Sequence, residues 1–390
     1  MKDSKLALYG GRKAINGDFP QWPLWDIREK IALEEVLNSS VWGLQGSAVP
    51  KFIEGFKQLQ NVSYVLPVCN GTIALILALE ALGVGLDDEV IIPDYTFMAT
   101  AVAPLKVGAK PIIVDIDKDT FCLDPKKLEQ AITKKTKAII PVHFGGNICD
   151  MEAILKIASK HNLSVIEDSA HAHGASVNGK FAGSFGDIGT FSFQSSKTLS
   201  CGEGGAIVTN NKDIFSKIYS YHNCGRISDQ PDYAHFLPGS NYRIGQFQAA
   251  ILNAQMNNFP DQLERRDKNG KLLSELLSKI DGVKPQKRAE NLDRHGHYLF
   301  TFILEADIPR EPFKRALVAE GCLVDLEYPS IHTLEFMKPY VDPQREYPVS
   351  TLLADRSICL YHNALLGTAE QTEQIAKAIE KVLKQRDYLT

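Results

Sequence analysis

From Tyr64 onward, short runs of β-branched and aliphatic residues alternate with longer helix-patterned stretches, and this rhythm limits the fold more than any other feature. Residues 64–68, 89–93, 111–115, 137–143 and 164–167 read as strands, with helices predicted over 73–82, 96–105, 125–132 and 151–161 between them. The strands are apolar at nearly every position instead of every second one. Such strands are buried on both faces, so the pattern predicts an α/β fold with a mostly parallel central sheet flanked by helices. Two further apolar runs, 188–193 and 206–209, read as the last strands of that sheet.

Beyond them a helix is predicted over 243–258, where Pro260 should break or kink it, and a second over 262–280. A smaller α/β lobe follows, with strand 297–304, helix 312–320, strand 322–326 and an amphipathic C-terminal helix over 369–384. The expected division is therefore residues 1–257, an N-terminal arm and large domain, and residues 258–390, a small C-terminal domain. The arm carries Gly10-Gly11 and the run Phe19-Pro20-Gln21-Trp22-Pro23, and reads as a strap over its own subunit or a neighbour's.

Composition narrows the partners. A net charge of −4, with no cluster of Lys and Arg, leaves no footprint for nucleic acid or a membrane surface. The longest apolar stretch, 72–84, is interrupted by Glu80 and is too short to span a bilayer. The first residues are too poor in apolar side chains for a signal peptide, and seven dispersed cysteines fit reduced thiols; both point to the cytoplasm.

The chemistry gathers where strands end. Asn70-Gly71-Thr72 lies at a strand-to-helix turn, where free backbone N–H groups, a glycine and a hydroxyl can seat a phosphate; the same triplet also serves as an ordinary turn and N-cap. Asp168 leaves the apolar strand 164–167, and a carboxylate there needs a ligand cation, a metal or a helix cap to meet it. His171 and His173 raise the metal option, yet with no further Cys or His nearby they read as core histidines, and no metal is expected. Phe97 opens a predicted helix and could cover a flat ring, or simply pack. Lys197 sits among small hydroxyl residues before Gly202-Glu203-Gly204-Gly205, in a turn between two strands. Partial desolvation makes a lysine amine a better nucleophile toward carbonyls. A carbonyl-reactive lysine, a phosphate seat, an acid and an aromatic plate together match the needs of pyridoxal 5'-phosphate (PLP).

The motifs Asn70-Gly71-Thr72-Ile73-Ala74-Leu75, Thr96-Phe97-Met98-Ala99-Thr100, Glu167-Asp168-Ser169-Ala170-His171-Ala172-His173-Gly174, Phe191-Ser192-Phe193-Gln194-Ser195-Ser196-Lys197 and Asn241-Tyr242-Arg243-Ile244 stand in one order along the chain. In order and spacing they resemble the DegT/DnrJ/EryC1/StrS family of PLP-dependent sugar aminotransferases, over nearly the full length. The resemblance implies the fold-type-I aminotransferase architecture and a homodimer with shared active sites. It implies that Lys197 joins the cofactor aldehyde and that Asp168 meets the pyridine nitrogen. It further implies that Gly71, Thr72 and Ser192 hold the phosphate, that Phe97 stacks on the ring, that His171 belongs to the cofactor site, and that Asn241 reaches in from the partner subunit.

His171 stands where many members carry Gln, and Gln194 where many carry His or Tyr. With Phe19–Pro23 and His362-Asn363-Ala364-Leu365-Leu366-Gly367, these resemble a branch containing L-glutamine:scyllo-inosose aminotransferases and 3-amino-5-hydroxybenzoate synthases. Transfer of an amino group from L-glutamine or L-glutamate to a keto-cyclitol or keto-sugar is therefore expected. The alternatives are a benzoate-synthase-like dehydratase, a nucleotide-keto-sugar aminotransferase and a PLP-binding regulator without turnover. Lys197 argues against the sugar dehydratases of the wider family, which replace it with histidine.

Overall fold

The computed structural model describes residues 5–227, 233–324 and 328–389. Two helices lead in: Ile27–Ser39 (α1), opened by a capping box between Asp26 and Glu29, and Ala48–Gln60 (α2). The strands follow as Tyr64–Val68 (β1), Glu89–Pro93 (β2), Lys110–Val114 (β3), Thr136–Ile139 (β4) and Ser164–Asp168 (β5). Next come a short hairpin, Ser176–Val177 (β6) with Lys180–Phe181 (β7), and the strands Ile188–Ser192 (β8) and Gly205–Thr209 (β9). Seven of them form one sheet in the order β1-β9-β8-β5-β4-β2-β3. Only β9 runs against the others, so the sheet is mostly parallel.

Between the strands lie Gly71–Ala81 (α3), Ala99–Lys106 (α4), Pro125–Ala131 (α5) and Met151–His161 (α6), with Lys212–His222 (α7) after β9. Asn70 caps α3, its side-chain oxygen accepting the Ile73 N–H at 2.9 Å. Apart from Glu80 in its last turn this helix is apolar on every side and buries Ala74, Leu75, Leu77, Ala78, Leu79 and Ala81, so it is held by its surroundings and not by a polar face.

Gln246–Leu277 (α8) is one helix of 32 residues, and the expected break at Pro260 does not occur. A mid-helix proline costs about 3 kcal/mol. Its neighbours Phe259 and Leu263 are buried in one core with Phe52 and Phe56 of α2, and that packing offsets the lost backbone bond. The boundary expected between 257 and 258 lies inside this helix.

The small lobe contains Val283–Pro285 (β10), Leu292–Arg294 (β11) and Leu299–Leu304 (β12), then Arg310–Ala319 (α9), Pro348–Arg356 (α10), Ser357–Tyr361 (β13) and Ala369–Leu383 (α11). Strands β10, β12 and β13 make an antiparallel sheet, while β11 pairs with β6 of the large lobe. The strand expected over 322–326 is reduced, among described residues, to one bridge between Val324 and Leu360; Asp325 and Leu326 lie outside the described residues. α11 buries Ile375, Ile379 and Val382, each worth roughly 1.5–3 kcal/mol.

The arm packs on its own chain. Leu6, Ile15 and Phe19 lie in the core of the small lobe. The buried Glu320 carboxylate accepts the Ala7 N–H at 2.7 Å and the Ala14 N–H at 2.9 Å, and pairs with Lys381 at 2.9 Å. The Tyr9 hydroxyl donates to the carbonyl of Tyr388 at 3.0 Å, bringing the two ends of the chain together. Among the described residues no helix is long and apolar enough to cross a membrane.

Candidate active site

Parallel strands in an open α/β sheet place ligands beyond their carboxyl ends. Strands β5 and β8 are neighbours here, with Asp168 opposite Thr190. On the far side of β9, β1 runs into the turn that starts α3. These ends open onto a cavity of about 690 Å³ lined by Gly71, Thr72, Phe97, Asp168, His171, Ser192 and Lys197 among others. Every predicted site residue except Asn241 is therefore brought to one place.

Glycines let the walls come this close. A Cβ on Gly71 would lie 2.8 Å from Cβ of Ser192, and one on Gly205 would lie 2.5 Å from the carbonyl carbon of Asn70. The N-terminus of α3 and the end of β8 thus share a narrow concavity. Backbone N–H groups of a first helical turn lack intrahelical partners, which makes this concavity a seat for an anion.

Asp168 is buried at the end of β5. Its carboxylate accepts the Thr100 hydroxyl at 2.9 Å and the Ala170 N–H at 3.2 Å. Burial holds its pKa above the usual carboxylate range despite those two bonds, so a cation facing it would relieve a real cost. Thr100 was not legible as a partner of Asp168. Its hydroxyl also lies 3.1 Å from that of Thr96, in the bend just before α4.

Glu167 points the other way, as alternate strand residues do. It is fully buried and accepts the N–H groups of Gly183, Phe185 and Gly186 at 2.8, 2.6 and 2.7 Å. His143 is its fourth partner, with Nε2 at 2.8 Å. Because His143 Nδ1 accepts the Cys149 N–H at 3.2 Å, the ring proton sits on Nε2 and is donated to Glu167. This acid fastens the loop before β8 to β5 and so fixes the strand end that carries Asp168.

Lys197 stands in the turn between β8 and β9. The turn is closed by the Phe193 N–H to Gly204 O, the Ser195 N–H to Gly202 O and the Lys197 N–H to Gln194 O, each at 2.8 Å. Gly202, at φ 92°, supplies the left-handed residue the turn requires. The buried amine lies 4.0 Å from the ring centroid of Tyr298, within cation–π reach. Tyr298 also meets the His171 ring at 4.2 Å, and its hydroxyl lies 3.0 Å from Ser196 Oγ.

His171 Nδ1 accepts the Gly145 N–H at 3.3 Å, and burial pushes its pKa well below the usual range, so the ring is neutral with its proton on Nε2. His173 is pushed down to about 3 by burial and lies behind the lysine turn, 3.4 Å from Thr198 Oγ1. Phe97 is half exposed at the cavity mouth, its ring edge-on to Tyr328 at 6.3 Å.

Asn241 is exposed, lies 3.4 Å from the Arg243 N–H and is not among the lining residues. Three further side chains nearby are dispersed: Tyr328 lines the cavity, His332 binds the buried Asp94, and His362 donates to the carbonyl of Ser196. Tyr298 had no sequence signal, because it arrives from the small lobe.

A model of the DegT/DnrJ/EryC1/StrS aminotransferase family matches residues 25–380. The chain is 36% identical to an L-glutamine:2-deoxy-scyllo-inosose aminotransferase of Streptoalloteichus tenebrarius, over 97% of each chain. It is 34% identical to a 3-amino-5-hydroxybenzoate synthase of Amycolatopsis mediterranei, over 93% of this chain and 96% of that one. A crystal structure of a 3-amino-5-hydroxybenzoic acid synthase superposes with a TM-score of 0.90 at 33% identity, covering 94% of this chain and 99% of the other.

Proposed function

Because this chain belongs to the DegT/DnrJ/EryC1/StrS aminotransferase family, we propose that its cavity moves an amino group from L-glutamine to the keto group of a scyllo-inosose-type cyclitol. At the coarser level it is a PLP-dependent aminotransferase for sugars or cyclitols, with the fold-type-I architecture. The narrower reading is supported by the names of relatives that share nearly the whole chain.

The residues present fit PLP. Gly71 and Gly205 let the first turn of α3 and the ends of β8 and β9 close into one anion seat, where any Cβ would strike Ser192 or the Asn70 backbone. A buried acid and a buried amine open onto the same cavity. That convergence is the observation that carries the reading.

When bound, the cofactor supplies an aldehyde that holds the migrating amine and a ring that takes up the electron pair left at the donor's α-carbon. The chain does the rest. Gly71, Thr72 and the Ser192 hydroxyl receive the phosphate. Asp168 keeps a proton at the ring nitrogen, and that pairing offsets the burial cost on its carboxylate. Lys197 Nζ takes the proton from the donor's α-carbon and delivers it later as an acid. Phe97 covers the ring at the mouth, while neutral His171 presents its Nε2 proton to the cavity.

A homodimer belongs to the same proposal. Trp25, Ile27, Leu37, Trp42 and Leu44 leave large apolar surfaces exposed, a pattern that marks an interaction face, and Asn241 of a second copy would complete the site. The likeness to 3-amino-5-hydroxybenzoate synthase favours one other reading, dehydration of an amino-dehydroshikimate-type ring.

Borohydride reduction of the purified holoenzyme should leave a pyridoxyl group on Lys197 in peptide mass spectrometry; a label elsewhere would refute the site. A panel of scyllo-inosose, an amino-dehydroshikimate and a nucleotide keto-sugar, each with glutamine, should yield an amine from the first. Reaction with only the other two would overturn the proposed substrate.

A further inference from the structure

The two peptide groups just before Lys197 are held by side chains from outside their turn. The Trp22 indole N–H donates to the carbonyl of Ser195 at 3.0 Å, and His362 Nε2 lies 2.9 Å from the carbonyl of Ser196. The two donors meet edge-on, ring centroids 4.5 Å apart and planes at 87°. One comes from the arm and the other from the turn after β13.

Behind Trp22 lies Arg266 of α8, fully buried, with its guanidinium carbon 5.0 Å from the indole centroid. Burial pushes it down to about 9. Its only hydrogen bond among the described residues is a long one, 3.4 Å, to Gln262 Oε1, and Nε and one terminal nitrogen have no partner. A buried cation without a carboxylate is costly. Here the face of Trp22 is what meets it.

Burial, with the same guanidinium adding to it, keeps His362 well below its usual pKa. A neutral imidazole has one proton, and the Ser196 carbonyl requires it on Nε2. The contact therefore stays a donor across the neutral range. Cross-ties fix the assembly: the Asn363 amide donates to Pro20 O at 2.8 Å, and the Asn269 amide donates to Leu365 O and Gly367 O at 2.8 and 3.0 Å.

We propose that Trp22 and His362 are positioning residues for the lysine, with Arg266 backing Trp22, so that the arm and the small lobe set the backbone from which Lys197 reaches the cofactor. This rests on the assignment of Lys197 as the cofactor lysine. Nothing in it requires either residue to touch substrate; they act through the Ser195 and Ser196 peptides.

The test uses full-length Trp22→Phe, His362→Leu and His362→Gln. Phenylalanine keeps a ring over Arg266 but loses the N–H, leucine loses the donor, and a glutamine amide can restore it. Three quantities are read: the dissociation constant for PLP by absorption titration of the apoprotein, the pH at which the bound cofactor's visible band changes, and the thermal midpoint. Loss of one donor to a peptide carbonyl beside Lys197 should weaken PLP binding by about five- to tenfold in the first two variants. The band's transition pH should shift with it, and His362→Gln should return both to within about twofold of the parent.

Unchanged PLP affinity and transition pH in Trp22→Phe and His362→Leu, whatever their thermal midpoints, would overturn the proposal. So would a folded His362→Gln that behaves like the leucine variant. If His362→Leu does not fold, Trp22→Phe, which keeps the ring, decides. Failure of the parent to carry the borohydride label on Lys197 would refute the lysine assignment instead, and the label separates the two failures.

Discussion

Replacing Glu167 with glutamine changes one oxygen to NH₂ and should nonetheless be severe. Glu167 accepts four hydrogen bonds: Phe185 and Gly186 N–H on one oxygen, Gly183 N–H and His143 Nε2–H on the other. With the amide nitrogen on the second side, Gly183 and His143 each face a donor. Shifting the His143 proton to Nδ1 rescues that contact but leaves the Cys149 N–H without its acceptor. Turning the amide over strands the Phe185 and Gly186 N–H groups instead. Every arrangement leaves two buried donors unmet, at about 1–3 kcal/mol each, so the loss should be about 2–6 kcal/mol. Urea unfolding of the apoprotein followed by circular dichroism measures it, with the midpoint shift multiplied by the slope giving the difference. PLP affinity should fall as well, because Asp168 is the next residue. A Glu167→Gln protein within about 1 kcal/mol of the parent would mean that these four contacts do not hold the loop.

Gly205→Ala puts a methyl 2.5 Å from the Asn70 carbonyl carbon and 2.8 Å from Gly71 N, backbone atoms that cannot swing aside. It should cost about 1–3 kcal/mol in urea unfolding and lower PLP affinity; wild-type values in both would show the turn is looser than described. Asn70→Ala removes the cap of α3 and should cost about 1 kcal/mol by the same assay, with no change expected only if another group takes the Ile73 N–H. Acid should destabilise the protein. His173 and His297 are pushed down to about 3 and His222 to about 4, all by burial first, so below about 6.5 the unfolded chain binds protons that the folded chain refuses. Stability is then complete above that pH and falls as the pH drops, by about 1.4 kcal/mol per histidine at pH 5.5, or about 4 kcal/mol for three. His332, raised by Asp94, works in the opposite sense and offsets part of the loss. A urea midpoint that does not fall between pH 7.5 and 5.5 would contradict the neutral, buried state of these rings.

The large sheet was readable because Val and Ile runs alternate with helices; strand ends pointed to Gly71 and Asp168 and the Gly-rich turn to Lys197, while Ser192 was implied by the family resemblance. What escaped was what depends on distance. Pro260 reads as a stop signal, but Phe259 and Leu263 are buried on either side of it and keep α8 continuous. The strap could be seen in Phe19–Pro23, not its destination; that is decided by Glu320, some three hundred residues away, which accepts the Ala7 and Ala14 N–H groups. In the site, Thr100 and Tyr298 reach Asp168 and Lys197 only through the strand order and the return of the small lobe. Asn241 does not line the cavity of its own chain.

The handshake between Tyr9 and Tyr388 has a practical side. Because Tyr9 and Tyr388 meet on the C-terminal lobe, a short bridge between the segments that carry them could splice the chain into a circle, and new ends could be cut at the exposed Gly179 hairpin tip. A permuted enzyme of that kind would carry its arm as an internal segment.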